Sequence, residues 1–443
     1  MIDRALAASL RSDVADDLAS SGASALSSED RRELARQFVI TRLQDIGAER
    51  LAAGDKPLDP IEEHETAHAV LDSLFGLGRL QALVDDPHIE NVDVNGCDRV
   101  WVTYSDGHKE MVDPIADSDA ELVEILRSAA ARFGLSERRF DNAHPELDLR
   151  LPDGSRLSAL MAVVSRPAVS VRRHRYLDLS LQDLLSLGTM DDRLASFLSA
   201  AVRARKNIVI GGAMNSGKTT LVRALASVIP PRERIVTIEQ AFELGLDAMT
   251  DRHPDIVALE ARSANTEGEG AIAMARLVRR ALRMNADRVI VGEVLGDEVL
   301  PMLNAMSQGR SGSMCTIHAD SSSGIFKRLA TYSVQAPERL SIESTNMLIA
   351  GAVHFVVFVE VSDVDGPDDV IGFDDQAQPR WFEAVRRRRF VSSVREVVDA
   401  EGLQVVSNEV FEPGFDRRAV PSAPLRSATL DELVAHGYEP RWQ

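Results

Sequence analysis

The chain has 443 residues, 44% hydrophobic and 27% charged, with a formal net charge of −19. That length predicts two or three domains of ordinary globular composition. The acidic balance argues against wrapping duplex DNA through the overall field, because phosphate binding needs concentrated Lys and Arg, so no nucleic-acid partner is expected. Cys97 and Cys315 stand far apart in no CxxC pair, which speaks against a disulfide scaffold and fits a reducing cytosol. The N-terminal segment carries acids early and has no continuous apolar run, so no secretory signal is expected. The longest apolar stretches, such as 350–360, fall far short of the roughly 20 residues that span a bilayer, so no membrane anchor is expected.

Residues 1–58 read as a helical extension with a Ser/Ala/Gly break near 20–28, and Ser28 looks like the start of a capped amphipathic helix. A further helical stretch follows Pro60 through Leu83. Between 89 and 175 short alternating runs (92–94, 99–104, 157–161, 168–172) are separated by the turn signals Asn95-Gly96, Asp106-Gly107 and Asp153-Gly154. With a helix at 119–133, residues 59–176 read as an α+β domain. From 177 to 360 the pattern becomes α/β. Apolar strands at 207–210, 234–238, 288–291 and 314–317 alternate with helices, as in a mainly parallel sheet covered on both faces. Residues 361–443 read as a C-terminal extension with short strands near 381–385 and 403–411, and no internal repeat is visible.

The chemistry starts at Gly212, Ala213, Met214, Asn215, Ser216, Gly217, Lys218 and Thr219, which fit G-x-x-x-x-G-K-[ST]. Such a loop folds its backbone N–H groups around phosphates. Its Lys reaches the β and γ phosphates and its Thr hydroxyl ligates Mg²⁺. An apolar strand precedes the loop and a helix follows, so that the positive end of the helix dipole meets the anion. Asn215 is an uncommon residue here, but Asn tolerates positive φ better than most side chains. Mg-ATP is therefore the expected ligand, with Thr220 on the same helix start.

A P-loop works with a carboxylate at the end of a neighbouring strand, which holds Mg²⁺ or activates water. The run 288–293 ends in Glu293, and the run 234–239 ends in Glu239, with Glu243 four residues on. Glu293 and Thr219 are the candidate Mg²⁺ holders. His318 ends the strand that contains Thr316; a lone His at such a place is as a rule structural. Arg276, Arg280 and Arg283 share one helix face, either as a solvated basic face or as a subunit contact. The arginine run 386–389 reads as a solvated strand edge, with a partner or an anionic lipid surface as the alternative. His64, Glu65 and His68 match H-E-x-x-H, which on a helix aims two imidazoles at one zinc ion; a zinc peptidase is thus an alternative that no second motif supports.

In order, 212–220, Thr237 with Glu239, 267–270, 277–283, 288–293 and 312–319 resemble the type II/IV secretion ATPases, closest to the Tad-pilus assembly (CpaF-type) branch. The resemblance covers about 60–360 and the strand-rich segment 391–411. It implies a RecA-like ATPase domain behind a smaller N-terminal domain, a homo-oligomeric and hexameric ring, and turnover that moves domains against polytopic inner-membrane platform proteins. The chain would then be cytoplasmic and held at the membrane face through those partners. It also implies that Glu239 and Glu243 form an acidic box, Glu293 is the Walker B glutamate, and Thr316 with His318 form a histidine box. Arg156, Arg172 and Arg173 would reach the nucleotide from the N-terminal domain, and Arg280 and Arg283 would act between subunits. Gln240 replaces the family's usual Asp, Ala213 and Asn215 its usual glycines, and Leu295 its usual Arg. These departures leave a slow ATP-dependent switch as the second expectation and a DNA-translocating ATPase as a further one.

Overall fold

The computed structural model describes residues 4–23, 26–104, 107–133, 139–173, 179–262, 264, 268–307, 311–365, 369–373, 379–382 and 385–440; the side chains of 363–387 and of residues 4, 5 and 28 are outside the description, as is Glu267. The chain divides into two compact units, Met1–Arg175 and Tyr176–Gln443. Among the described residues no helix is long and apolar enough to cross a membrane.

The first unit opens with α1 (Arg4–Ser20), α2 (Ser28–Ala53) and α3 (Pro60–Phe75). Ser27, one residue before the predicted Ser28, caps α2 by accepting from Asp30 N, and Gly54 closes it at φ 83°. Asp59 caps α3, and Pro60 sits in the first turn, where its missing N–H leaves nothing unpaired. Leu10, Val14, Val39, Leu43 and Val70 bury one another among these helices. Next come α4 (Leu80–Asp85), β1 (Ile89–Asn95), β2 (Val100–Tyr104), β3 (Lys109–Val112), α5 (Asp119–Phe133), β4 (Glu146–Arg150), β5 (Arg156–Leu160) and β6 (Ala168–Arg172). The six strands form an antiparallel sheet, β3-β2-β1-β6-β5-β4. Leu122 and Leu126 of α5 share its core with Val92, Val94, Val100 and Val102. The predicted Asn95-Gly96 turn is present: Gly96 has φ 78°, and a Cβ there would displace the Arg166 guanidinium. That group bridges Asp98 and Asp119 at 2.7 Å each and holds the Asp119 carboxyl far below the usual carboxylate range.

The second unit contains α6 (Leu181–Ser186), α7 (Asp192–Arg203), β7 (Ile208–Gly212), α8 (Lys218–Ala226), β8 (Ile235–Glu239), β9 (Ile256–Glu260), α9 (Met274–Ala281), β10 (Arg288–Val294), α10 (Val299–Ser307), β11 (Met314–His318), α11 (Ser322–Gln335) and α12 (Ile342–Ala352). It continues with β12 (Phe355–Asp365), β13 (Asp369–Phe373), β14 (Pro379–Phe382), β15 (Val385–Glu401), β16 (Gln404–Pro413), β17 (Ala419–Pro421) and α13 (Ser427–Ala435). β13 and β14 pair with each other; the others form one nine-stranded sheet, β17-β16-β15-β12-β7-β11-β10-β8-β9. From β12 to β9 all pairings are parallel, and β15, β16 and β17 extend the sheet antiparallel. This is the mainly parallel α/β sheet that the alternation of strands and helices predicts. Ile208 and Ile210 face one layer with Phe197, Leu221 and Leu225, while Val209 faces the other with Leu303, Leu329 and Ile349. With both faces covered, the strands read as continuous apolar runs.

The N-terminal edge of this sheet is locked by buried polar groups. Asn207 donates to Met306 O and Ala352 O at 2.9 and 2.7 Å and accepts from Gly312 N and Ser313 N at 2.9 and 3.0 Å. Arg288, fully buried, pairs with Glu233 at 2.7 Å and donates to Val202 O at 2.9 Å. Three details depart from the sequence reading. β9 escaped it. α9 ends at Ala281, so Arg283 lies past the helix. β15 is one long inner strand where the sequence shows a solvated strand edge at 386–389 and a strand-rich segment at 391–411; its buried Ser392, Ser393 and Glu396 hide its inner position from hydropathy, because each hydrophilic group needs a partner that sequence does not show. Glu396 is met by Arg426 at 2.9 Å, and Ser393 by Glu409 at 2.5 Å.

Phe197 packs against Phe355, Phe411 and Tyr438 with ring centroids 5.0, 5.2 and 5.6 Å apart, so it joins α7 to β12, to β16 and to the residues after α13. Phe197→Ala is expected to destabilise the protein by about 3–5 kcal/mol. Urea unfolding should show this as a lower midpoint at an unchanged slope. An unmoved midpoint would refute the central place given to this cluster.

Candidate functional site

The P-loop leaves β7 at Gly212, and packing makes glycine necessary there: a Cβ would lie 2.3 Å from Val359 O and 2.5 Å from Ser216 Oγ. The loop then turns through two left-handed residues, Asn215 at φ 58° and Gly217 at φ 95°. Asn215 therefore adopts the conformation that its tolerance of positive φ allows. α8 begins at Lys218 with no side-chain cap, so its first N–H groups stay directed at the loop. Ser216 Oγ is buried with no hydrogen-bond partner among the described residues. Lys218 is buried, and its Nζ donates to Ala213 O at 2.8 Å and Gly212 O at 3.3 Å. Ala213, Met214 and Asn215 form the exposed crest of the loop, and Thr219 and Thr220 are half-buried.

Parallel register brings the other groups to the same edge. Gly212 pairs with His318 on β11 and with Val359 on β12, and Ile317 pairs with Val294 on β10. Lys218 Nζ lies 3.1 Å from His318 Nδ1. An ammonium can only donate, so Nδ1 accepts and the ring proton sits on Nε2. Nε2 is 2.7 Å from Glu293 Oε1. That contact lacks the alignment of a hydrogen bond, and Oε1 is buried without an aligned donor among the described residues. Thr316 Oγ1 donates to Gly292 O at 2.6 Å, which ties β11 to β10 beside Glu293.

Glu239, at the end of β8, is 3% exposed and lies against Gly292, where a Cβ would come within 2.8 Å of its Cγ. Its Oε1 accepts from Glu243 N at 2.9 Å and Leu244 N at 2.8 Å. Burial pushes its pKa up to about 7; the two N–H bonds and Arg223 oppose that shift, and the Glu243 charge adds to it. Arg223 of α8, which the sequence reading passed over, donates to Leu244 O at 2.9 Å and to Glu243 O, fixing the turn on which Glu239 leans.

The remaining predicted residues belong to other elements. In the first unit, Arg156 and Arg172 are cross-strand neighbours on β5 and β6. Arg173 donates to Asp86 O at 2.5 Å, and its backbone N–H to Glu90 O at 2.9 Å. In the second unit Arg276, Arg280 and Arg283 are exposed. His64 and His68 meet edge to face with centroids 4.4 Å apart, but among the described residues no three His, Cys, Asp or Glu groups stand together as a zinc site needs. The arginine run needs a correction. Arg388 is exposed, as a solvated edge requires, but Arg389 turns to the P-loop and donates from Nε to Asn215 O at 2.9 Å. No local signal separates the two residues; only the pairing of β15 with β12 does.

The Type II/IV secretion system protein family matches residues 75–359, and the chain belongs to that family. It is 31% identical over 316 residues to the type IV secretion system protein PtlH of Bordetella pertussis, covering 65% of this chain and 89% of that protein. It is likewise 31% identical over 328 residues to the type IV secretion system protein VirB11 of Brucella suis, covering 66% of this chain and 86% of that one. Among solved structures, the Legionella pneumophila ATPase DotB has the same fold, with a TM-score of 0.50 and 16% identity over 73% of this chain and 81% of that chain.

Glu239 makes stability depend on pH in a definite direction. Its pKa is about 7 in the folded protein against an ordinary 4.5, so the folded state holds the extra proton between those values. Stability from this group therefore falls as pH rises from 4.5 to 7 and stays low above that window. Glu239→Gln keeps the acceptor and removes the charge. Its unfolding free energy is expected to gain on the wild type across the same window, by roughly 3 kcal/mol at most. A difference between the two proteins that stays constant from below to above the window would contradict the assignment.

Proposed function

We propose that this member of the type II/IV secretion system protein family is an ATP-hydrolysing motor of a secretion or pilus-assembly machine. The observation that carries the reading is the chain Lys218–His318–Glu293, with contacts of 3.1 and 2.7 Å, across the edge of β7, β11 and β10. Residues 212–220 would hold the phosphates through backbone N–H groups and Lys218. Two buried polar atoms at this edge, Ser216 Oγ and Glu293 Oε1, have no aligned hydrogen-bond partner among the described residues, which suits a bound phosphate and cation. Thr219 and Glu293 would hold Mg²⁺, which when bound offsets the charge of the β and γ phosphates.

Hydrolysis in this reading is an in-line attack of water on the γ-phosphate. Glu293 orients and polarises the water. Lys218 offsets the charge that develops on the phosphate oxygens, and His318 keeps the lysine and the carboxylate at a fixed spacing. Glu239, whose pKa is raised to about 7, would take up a proton in this reading, and Glu243 would complete the acidic turn. Arg156, Arg172 and Arg173 would contribute charge to the nucleotide from the first unit, and Arg280 and Arg283 from a neighbouring subunit. The working form is a homo-oligomer, a hexameric ring of the Tad-pilus assembly type. It acts from the cytoplasmic face on polytopic membrane platform proteins.

ATP hydrolysis measured against protein concentration, with solution mass recorded, tests this. Turnover per subunit should rise with assembly. Lys218→Ala should lose nucleotide binding, and Glu293→Gln should keep binding while kcat falls by roughly 10²-fold or more. Binding without turnover in the assembled wild type would replace the motor with a slow switch, and a wild type that binds no nucleotide would end both readings.

A further inference from the structure

We infer that Arg389 is a positioning residue of the P-loop, reaching it from a strand 174 residues beyond Asn215. The inference rests on the nucleotide reading above and adds a residue to that site. β15 pairs antiparallel with β12, with Arg389 opposite Val361, and β12 in turn lies beside β7. The alkyl stem of Arg389 covers Gly217: its Cδ and Cβ lie 3.4 and 3.9 Å from where a Cβ on that glycine would stand. Its Nε then donates to Asn215 O at 2.9 Å. One side chain thus touches both left-handed positions of the loop, Asn215 and Gly217.

The consequence follows from the planarity of the peptide. In a trans peptide the carbonyl of one residue and the N–H of the next point in opposite directions, and the described chain has no cis bond. With Asn215 O turned toward Arg389, Ser216 N–H is turned to the other side. There it meets Ala213 O at 3.4 Å, a weak contact at the limit of hydrogen bonding, and the same oxygen accepts from Lys218 Nζ at 2.8 Å. Ser216 N–H and the Lys218 ammonium therefore converge on one side of the loop. Flipping this peptide would withdraw an N–H from that side and put a carbonyl oxygen in its place, where it would repel phosphate. Arg389 selects the orientation that binds an anion. Asn215 makes this support useful, since left-handed backbone is less favourable for it than for the glycine at 217.

The test compares Arg389→Met, which keeps the stem over Gly217 and removes the donor, with Arg388→Met, the exposed neighbour with the same loss of charge. Mg-ADP affinity is read by calorimetry, kcat and KM for ATP by hydrolysis assay, and folding and mass by urea midpoint and light scattering. Arg389→Met should bind Mg-ADP about tenfold more weakly and raise KM similarly, the worth of one charge-assisted hydrogen bond, with kcat, midpoint and mass unchanged. Arg388→Met should match the wild type. Equal losses in both variants would show a bulk charge effect, and loss of folding or mass in Arg389→Met would show a structural support; either overturns the proposal, as does unchanged affinity. A wild type that binds Mg-ADP and loses it in Lys218→Ala keeps the nucleotide reading whatever Arg389 does.

Discussion

Gly212 has no room for a side chain, and the geometry of the site depends on that. The Val359 carbonyl on one side and Ser216 Oγ on the other leave space for a hydrogen only, so the chain can leave β7 tightly enough to form the loop. The constraint couples the loop to β12, a strand nearly 150 residues further on in the chain. It also explains why the C-terminal edge of this sheet differs from the opposite one. At the N-terminal edge Arg288 pairs with Glu233 and Asn207 is satisfied by four backbone groups, and together they act as a clamp. At the C-terminal edge a hydroxyl and a carboxylate oxygen have no aligned partner among the described residues. Open polar groups collect where parallel strands end and helices begin, the place where such sheets bind ligands.

Two carboxylates, Glu239 and Glu293, stand on adjacent strands with different surroundings. Glu239 is deeply buried, and that burial outweighs the two backbone N–H bonds to one of its oxygens and raises its pKa to about 7. Glu293 is half-exposed and faces an imidazole whose tautomer is set by the P-loop lysine. Separate environments for paired acids allow separate roles in one reaction. Arg223 serves this division from behind, since it anchors the turn that supplies both N–H donors to Glu239.

Much of the described chain after residue 360 is built into the sheet and core of the second unit. β15 and β16 extend the parallel sheet, α13 closes the Phe197 cluster through Tyr438 and Leu433, and Lys206 pairs with Glu432 across the same seam. Through β15 the segment also reaches the P-loop. A strand that borders the central parallel strands gains a rigid frame, and a site built on such a frame keeps its geometry better than one built on loops alone.

The residues by themselves determined a good deal here. The spacing of Gly212, Gly217, Lys218 and Thr219, the strands ending in Glu239 and Glu293, and the apolar runs between helices specified a parallel α/β sheet with a glycine-rich turn between its first strand and a helix, because each of these is a local pattern with a local physical cause. Asn215 in a left-handed conformation was legible for the same reason. What sequence did not carry were the partners. The inner position of β15 was hidden because its buried Ser and Glu residues are satisfied only by distant groups, and Arg223 and Arg389 looked like other arginines until the fold brought backbone carbonyls to them. Nothing in the run 386–389 distinguishes an arginine in solvent from one on the loop. Strand register decides that, and register is set by long-range pairing that only the tertiary structure contains.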